Sequence, residues 1–170
     1  MQFISVNYGE REDDIRSLLL EYLHWGARNM NQYWNLGITV QEVDEFIDTD
    51  IKTLSRMQPP NGRFYLIQNK GTLVGVGGLR RLNKTSCELK RMYIRKPYRG
   101  QGIGLSLLHQ LLHDARALQF KKVYLDTPLF CKTAQKLYET NGFRYIDKPY
   151  PGNEYPKDRW FMMKFMELDL

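Results

Sequence analysis

The sequence predicts a mixed α/β (α+β) domain folded around one central sheet, with seven strand segments and four helices in 170 residues. Segments of two-residue alternation and segments of helical spacing follow in the order strand, two helices, three strands, helix, strand, helix, two strands. Firm stop signals, Pro59-Pro60-Asn61-Gly62 and Asn141-Gly142, punctuate that order. The length suits a single domain, residues 1–170, with a core of its own.

Residues 3–6 alternate as a short first strand, and residues 10–25 place Ile15, Leu18, Leu19, Tyr22 and Leu23 at helical spacing. Residues 29–37 read as a loop. Thr39 with Glu42 three residues on has the form of a capping box, opening a second helix that buries Val43, Phe46, Ile47, Ile51 and Leu54. Residues 64–67, a turn at Asn69-Lys70-Gly71, and residues 73–79 form a hairpin, with residues 87–94 as the next strand. These three strands are expected to be antiparallel neighbours. A periodic helix then carries Ile103, Leu107, Leu108, Leu111, Leu112 and Ala115 on one side and ends near Gln119. Residues 123–126 are a short strand and 133–140 a helix, which Gly142 stops because glycine accepts the left-handed conformation a helix end requires. Strands at 143–146 and 160–168 flank a loop at 149–156.

Composition narrows the function classes. Residues 1–6 lack the basic start of a secretory signal, and no run of about 18 apolar residues occurs, so a soluble cytoplasmic protein without a membrane partner is expected. Cys87 and Cys131 are read as reduced thiols. His24, His109 and His113 show no metal-ligand spacing, so no metal is expected. The net charge of +6 suits a polyanion, including a phosphorylated cofactor. No helix-turn-helix, zinc or RNA-binding pattern accompanies it, which argues against nucleic acid.

Chemistry concentrates where the fourth strand meets the third helix, at Arg99-Gly100-Gln101-Gly102-Ile103-Gly104. Glycines between a strand and a helix leave backbone N–H groups unpaired at the positive end of the helix dipole, a site for pyrophosphate. Lys90, Arg91, Arg95, Lys96 and Arg99 add positive charge nearby. A Walker loop is excluded, since no lysine follows the glycines until Lys121. The dinucleotide fingerprint fails too, because Leu107 stands where its last glycine belongs.

The same six residues match the R/Q-x-x-G-x-G/A signature of the GNAT superfamily of N-acetyltransferases. Glu88-Leu89-Lys90-Arg91-Met92-Tyr93-Ile94 resembles that family's fourth strand, and Ala134 through Phe143 resembles its A-x-x-L-Y-x-x-x-G-F segment. The chain thus resembles a small, bacterial-type, single-domain GNAT protein, specifically so over residues 74–143. The resemblance implies a central mixed, largely antiparallel, twisted sheet of about seven strands flanked by four helices, with acetyl-CoA as co-substrate. It places the pantetheine arm against Met92, Tyr93 and Ile94, and the pyrophosphate on Gly100, Gln101, Gly102, Ile103, Gly104 and Leu105 beside Arg99. Cys131 stands where the family often has a cofactor-contacting Asn.

An amine attacks a thioester only when unprotonated, so the reaction needs a base, a polarised carbonyl and a proton for the leaving thiolate. Glu88, eleven residues before Arg99, has the family spacing of a general base, acting directly or through water. Tyr138 holds the family tyrosine position near the coenzyme sulfur. Direct attack in a ternary complex is preferred over a Cys131 nucleophile, which has no indicated His and carboxylate partner. The acceptor is expected to be a primary amine of a small molecule or peptide, walled by Trp25, Tyr33, Trp34, Tyr150 and Tyr155. Basic residues Arg28, Lys157 and Arg159 hint at a carboxylate-bearing acceptor such as an amino acid. The alternative is a catalytically weak acyl-CoA sensor of the same fold, and either form admits a homodimer.

Overall fold

The computed structural model describes all residues, Met1–Leu170, as one seven-stranded sheet with helices on both faces. The strands are β1 (Gln2–Ser5), β2 (Gly62–Asn69), β3 (Thr72–Arg81), β4 (Ser86–Ile94), β5 (Lys122–Pro128), β6 (Arg144–Ile146) and β7 (Met163–Asp169). The helices are α1 (Glu12–Trp34), α2 (Val40–Lys52), α3 (Ile103–Ala117) and α4 (Lys132–Thr140). Strand order is β1-β2-β3-β4-β5-β7-β6, antiparallel throughout except for β4 and β5. The expected order of elements and the antiparallel β2-β3-β4 run are both present. No helix is long and apolar enough to cross a membrane.

Two apolar layers sandwich the sheet. Leu107, Leu108, Leu111 and Ala115 of α3 pack with Leu79, Cys87, Leu89, Val123 and Leu125 on one face. Ile15, Leu18 and Leu19 of α1 and Ile47 and Ile51 of α2 pack with Phe64, Leu66, Val76 and Tyr93 on the other. The α3 layer sits close because β3 carries glycine there: a Cβ at Gly77 would lie 2.7 Å from Leu107 Cδ2.

Three expectations need correction. The stretch expected as a loop at 29–37 is mostly helix, since α1 runs on to Trp34 before Asn35 ends it in the left-handed conformation. Rings of Trp25, Tyr33 and Trp34 packed around Phe130 hold this added length, and Asn31 bonds both N–H and carbonyl of Ile38 to shape the exit. Phe46, expected in the core, is 47% exposed, while Val43, Ile47, Ile51 and Leu54 are buried as expected. The last strand begins at Met163, because residues 157–162 form a tight 3₁₀ turn first. The capping box of α2 is present, with Glu42 N–H donating to Thr39 Oγ1 at 3.2 Å and Thr39 N–H to Glu42 Oε2 at 2.8 Å.

The feature that shapes the site is a bulge in β4. Gly78 pairs with Lys90 but Val76 pairs with Tyr93, so β4 holds one extra residue, and Arg91 takes a positive φ of 60°. The bulge reverses the alternation: Leu89 faces the α3 layer, and beyond Arg91 it is Met92 and Ile94 that do so. Arg91 instead turns to α2, where its guanidinium forks onto fully buried Asp50, with Nε to Oδ2 at 3.0 Å. Asp50→Ala leaves a buried cation unpaired, and urea unfolding should show a loss of about 3–5 kcal/mol.

Candidate active site

The β4–β5 ladder pairs Ser86 with Lys122, Cys87 with Val123 and Glu88 with Tyr124, and then stops. Both strands continue, to Ile94 and Pro128, so the sheet is splayed from Glu88 onward. At the far end of β4 the glycine loop leads into α3. Gly100 and Gly102 have φ of 76° and 77°, and a Cβ on either would meet nothing within 4 Å, so the space before the loop is open. The first backbone bond of α3 runs from Ser106 N–H to Gly102 O at 3.0 Å, leaving the amides of Gly100, Gln101, Gly102, Ile103, Gly104 and Leu105 free for an anion. These features fit a diphosphate.

The basic residues do not gather there as expected. Lys90 reaches Glu88, Arg91 binds Asp50, and Arg95 binds Glu21 on α1. Arg99 donates from Nε to Ile94 O at 2.8 Å and lies over the rings of Trp25 and Tyr93, at 5.1 and 5.5 Å. Sequence neighbours on a strand and its bulge point different ways, so proximity in sequence overstated the local positive charge.

Glu88 lies at the apex of the splay with no exposed surface. Arg80 Nε donates to Oε2 at 2.6 Å, and Lys90 Nζ approaches Oε1 at 3.0 Å. The Tyr150 hydroxyl donates to the same Oε1 and lies 3.0 Å from Asp126 Oδ2. The loop that carries Tyr150 is pinned further by Asn153 Nδ2 to Asp126 Oδ2 at 2.8 Å and by Glu154 between Arg80 and Arg56. Burial first, then the charges of Asp126 and Glu88, push the Tyr150 phenol far above its ordinary range, so it stays protonated.

Tyr138, on α4, sits on the other side of the gap. Its hydroxyl is 3.7 Å from Met92 Sδ, placing it against the very strand segment that the bulge turned toward α4. Burial raises this phenol too, with smaller contributions from Tyr22, Cys131 and Asp126, so it is available as a proton donor. Cys131 begins α4, and burial pushes its thiol up to about 11, which disfavours a thiolate. Trp25, Tyr33 and Trp34 gather on Phe130, and Tyr155 reaches α1 by its hydroxyl, 3.7 Å from Met30 Sδ.

Residues 24–143 match the model of the acetyltransferase (GNAT) family. The chain belongs to the GNAT family. It is therefore an acyltransferase, and the splayed sheet and glycine loop are the family's fold. An Escherichia coli K12 protein named "Uncharacterized N-acetyltransferase YjgM" is 32% identical over 115 residues, 65% of this chain and 69% of that protein. The N-acetylaspartate synthetase of Rattus norvegicus is 30% identical over 135 residues, 77% of this chain but 45% of that enzyme, so the chain spans less than half its length. Among solved structures, a GNAT family acetyltransferase from Elizabethkingia anophelis with acetyl-CoA bound superposes with a TM-score of 0.56 at 24% identity, covering 74% of this chain and 82% of that one.

Sequence reasoning missed Arg80, Asp126, Asn153 and Glu154. Arg80 and Glu88 face each other only through the β3–β4 register, and the loop residues carry no periodic signal. For the glycine loop, Gly102→Val should raise the acetyl-CoA dissociation constant by at least about tenfold in calorimetry, since the side chain both blocks the amides and resists the left-handed backbone.

Proposed function

We propose that the protein transfers the acetyl group of acetyl-CoA directly to the primary amine of a small molecule, with amino acids as the favoured acceptor class. The observation that carries this reading is the splay: a gap opening at Glu88, flanked by a protonated phenol at Tyr138 and ending in a loop of free amides. The acetyl-CoA in the Elizabethkingia anophelis relative and the name of the Rattus norvegicus relative support the donor and the acceptor class respectively.

The donor supplies an activated thioester. The free amides from Gly100 to Leu105 bind its diphosphate, and the bulged backbone of Met92, Tyr93 and Ile94 holds the arm in the splay, with Cys131 beside it. Tyr138 donates its proton toward the departing sulfur. Glu88 lies on the base side, but every one of its oxygens already accepts from Arg80, Lys90 or Tyr150, so it acts through those neighbours rather than by touching the amine.

Purified protein with acetyl-CoA should release free thiol in the presence of one member of a panel of amino acids, polyamines, aminoglycosides and peptides. Binding of acetyl-CoA with no thiol release from any amine would instead support an acyl-CoA sensor. On the responsive amine, Tyr138→Phe should lower kcat by about a hundredfold. Glu88→Gln should lower kcat by about tenfold without moving the KM for acetyl-CoA. Cys131→Ala should keep kcat within about threefold, because a thiol with its pKa near 11 is not the nucleophile.

A further inference from the structure

Glu88 and Asp126 are the two carboxylates of the cluster, and they are not equivalent. Both oxygens of Glu88 accept, Oε2 from Arg80 and Oε1 from Lys90 and Tyr150, and the residue is wholly enclosed. At Asp126 every partner converges on Oδ2: Tyr150 Oη at 3.0 Å, Asn153 Nδ2 at 2.8 Å and Lys90 Nζ at 3.7 Å. Oδ1 has no donor. The side chain keeps 12% of its surface exposed and stands two residues past Tyr124, the last residue of β5 to pair with β4. Leu125 faces the α3 layer, so alternation sets Asp126 on the opposite face, shared with Glu88, Lys90 and Tyr150.

We propose that Asp126, through its unpartnered Oδ1, is the catalytic residue that meets the acceptor ammonium and takes its proton, with Tyr150 and Glu88 as positioning residues behind it. This rests on the N-acetyltransferase reading. One N–H bond of the ammonium breaks and an O–H bond forms on Asp126, leaving a neutral amine and a neutral carboxylic acid. The amine lone pair then forms the C–N bond at the thioester carbonyl, the C–S bond breaks with its electron pair on sulfur, and Tyr138 protonates the thiolate. The second N–H proton, released as the amide forms, returns the Tyr138 phenolate to phenol, and Asp126 gives the first proton to solvent as the products leave. The single Tyr150 hydrogen faces two carboxylates while both are charged. Once Asp126 is neutral it serves Glu88 alone, so protonation costs the cluster no hydrogen bond.

The test uses Asp126→Asn, which keeps the shape of the side chain, on the amine that turns over fastest. Its kcat should fall at least about a hundredfold while the acetyl-CoA dissociation constant and Tm stay near those of the unmodified protein. Tyr150→Phe should lower kcat by about tenfold with the same acetyl-CoA affinity. A folded Asp126→Asn protein that keeps kcat within about threefold overturns the proposal. Carboxyl ¹³C NMR of the unmodified, CoA-saturated protein during titration with methylammonium chloride is the second arm. The Asp126 carboxyl signal should move saturably and the Glu88 signal should not; a static Asp126 signal overturns the proposal even if the asparagine variant fails to fold. Absence of thiol release with every amine defeats the N-acetyltransferase reading, and the NMR arm still decides the fate of Asp126.

Discussion

A strand keeps each face to one environment only while its alternation is unbroken, and β4 breaks it once, at Arg91. Before that point Glu88 and Lys90 lie on the face opposite α3, among Arg80, Asp126 and Tyr150. After it, Met92 looks toward α4 and meets Tyr138. A single strand thus presents the Glu88 cluster on one face and Met92 with Tyr138 on the other. The positive φ at Arg91 is unfavourable for a residue with a side chain, by about 1–2 kcal/mol. Its guanidinium is held by Asp50, whose carboxylate has no surface of its own and no other charged partner. The bulge and the ion pair therefore support each other, and the site geometry follows from both.

Gathering so much charge beside the splay, from buried Glu88 and Arg80 out to the exposed Arg56–Glu154 pair, is tolerable because it nearly cancels. Arg80, Lys90 and Arg56 stand against Glu88, Asp126 and Glu154, joined by charge-assisted bonds of mostly 2.6 to 3.0 Å. The cluster also closes the 149–156 segment over the sheet, since Tyr150, Asn153 and Glu154 each bond to it. A segment rich in proline and glycine, with no ladder of its own, takes its order from those side chains. One group is left over: Arg80 Nη2 is buried without a partner, the cost of placing a five-donor fork between only two carboxylates.

The fold was legible because its signals are local. Capping residues mark α2, the apolar stripe marks α3, Asn141-Gly142 ends α4, and the glycine loop names its own chemistry through the spacing of its glycines. The site was legible only in part, because its side chains are joined by register and by loop closure. Arg80 and Glu88 are eight positions apart in sequence and opposite one another only through the hairpin pairing. Asp126 and Tyr150 sit on different elements with no shared period. The bulge was equally hidden: nothing in Lys90-Arg91-Met92 announces an extra residue. Residues 29–34 misled because Asn and Gly near a helix end usually signal termination, whereas aromatic packing on Phe130 carried α1 onward.

That added length of α1 has a structural consequence. Trp25 stacks beneath the Arg99 guanidinium, which is tied to the end of β4, and Met30 receives Tyr155 from the loop that carries Tyr150. One rigid helix therefore touches the segment before the glycine loop and the segment over the Glu88 cluster. Had α1 stopped at residue 25, the first contact would remain and the second would be lost, leaving the 149–156 segment held by the charged cluster and by Tyr150 packed on Tyr124 and Phe165. Apolar contact with Met30 is insensitive to salt, whereas the exposed Arg56–Glu154 pair is screened by it. The loop is thus fixed by two forces of different character, and the helical continuation of α1 adds to the apolar one that the packing of Tyr150 on Tyr124 and Phe165 begins.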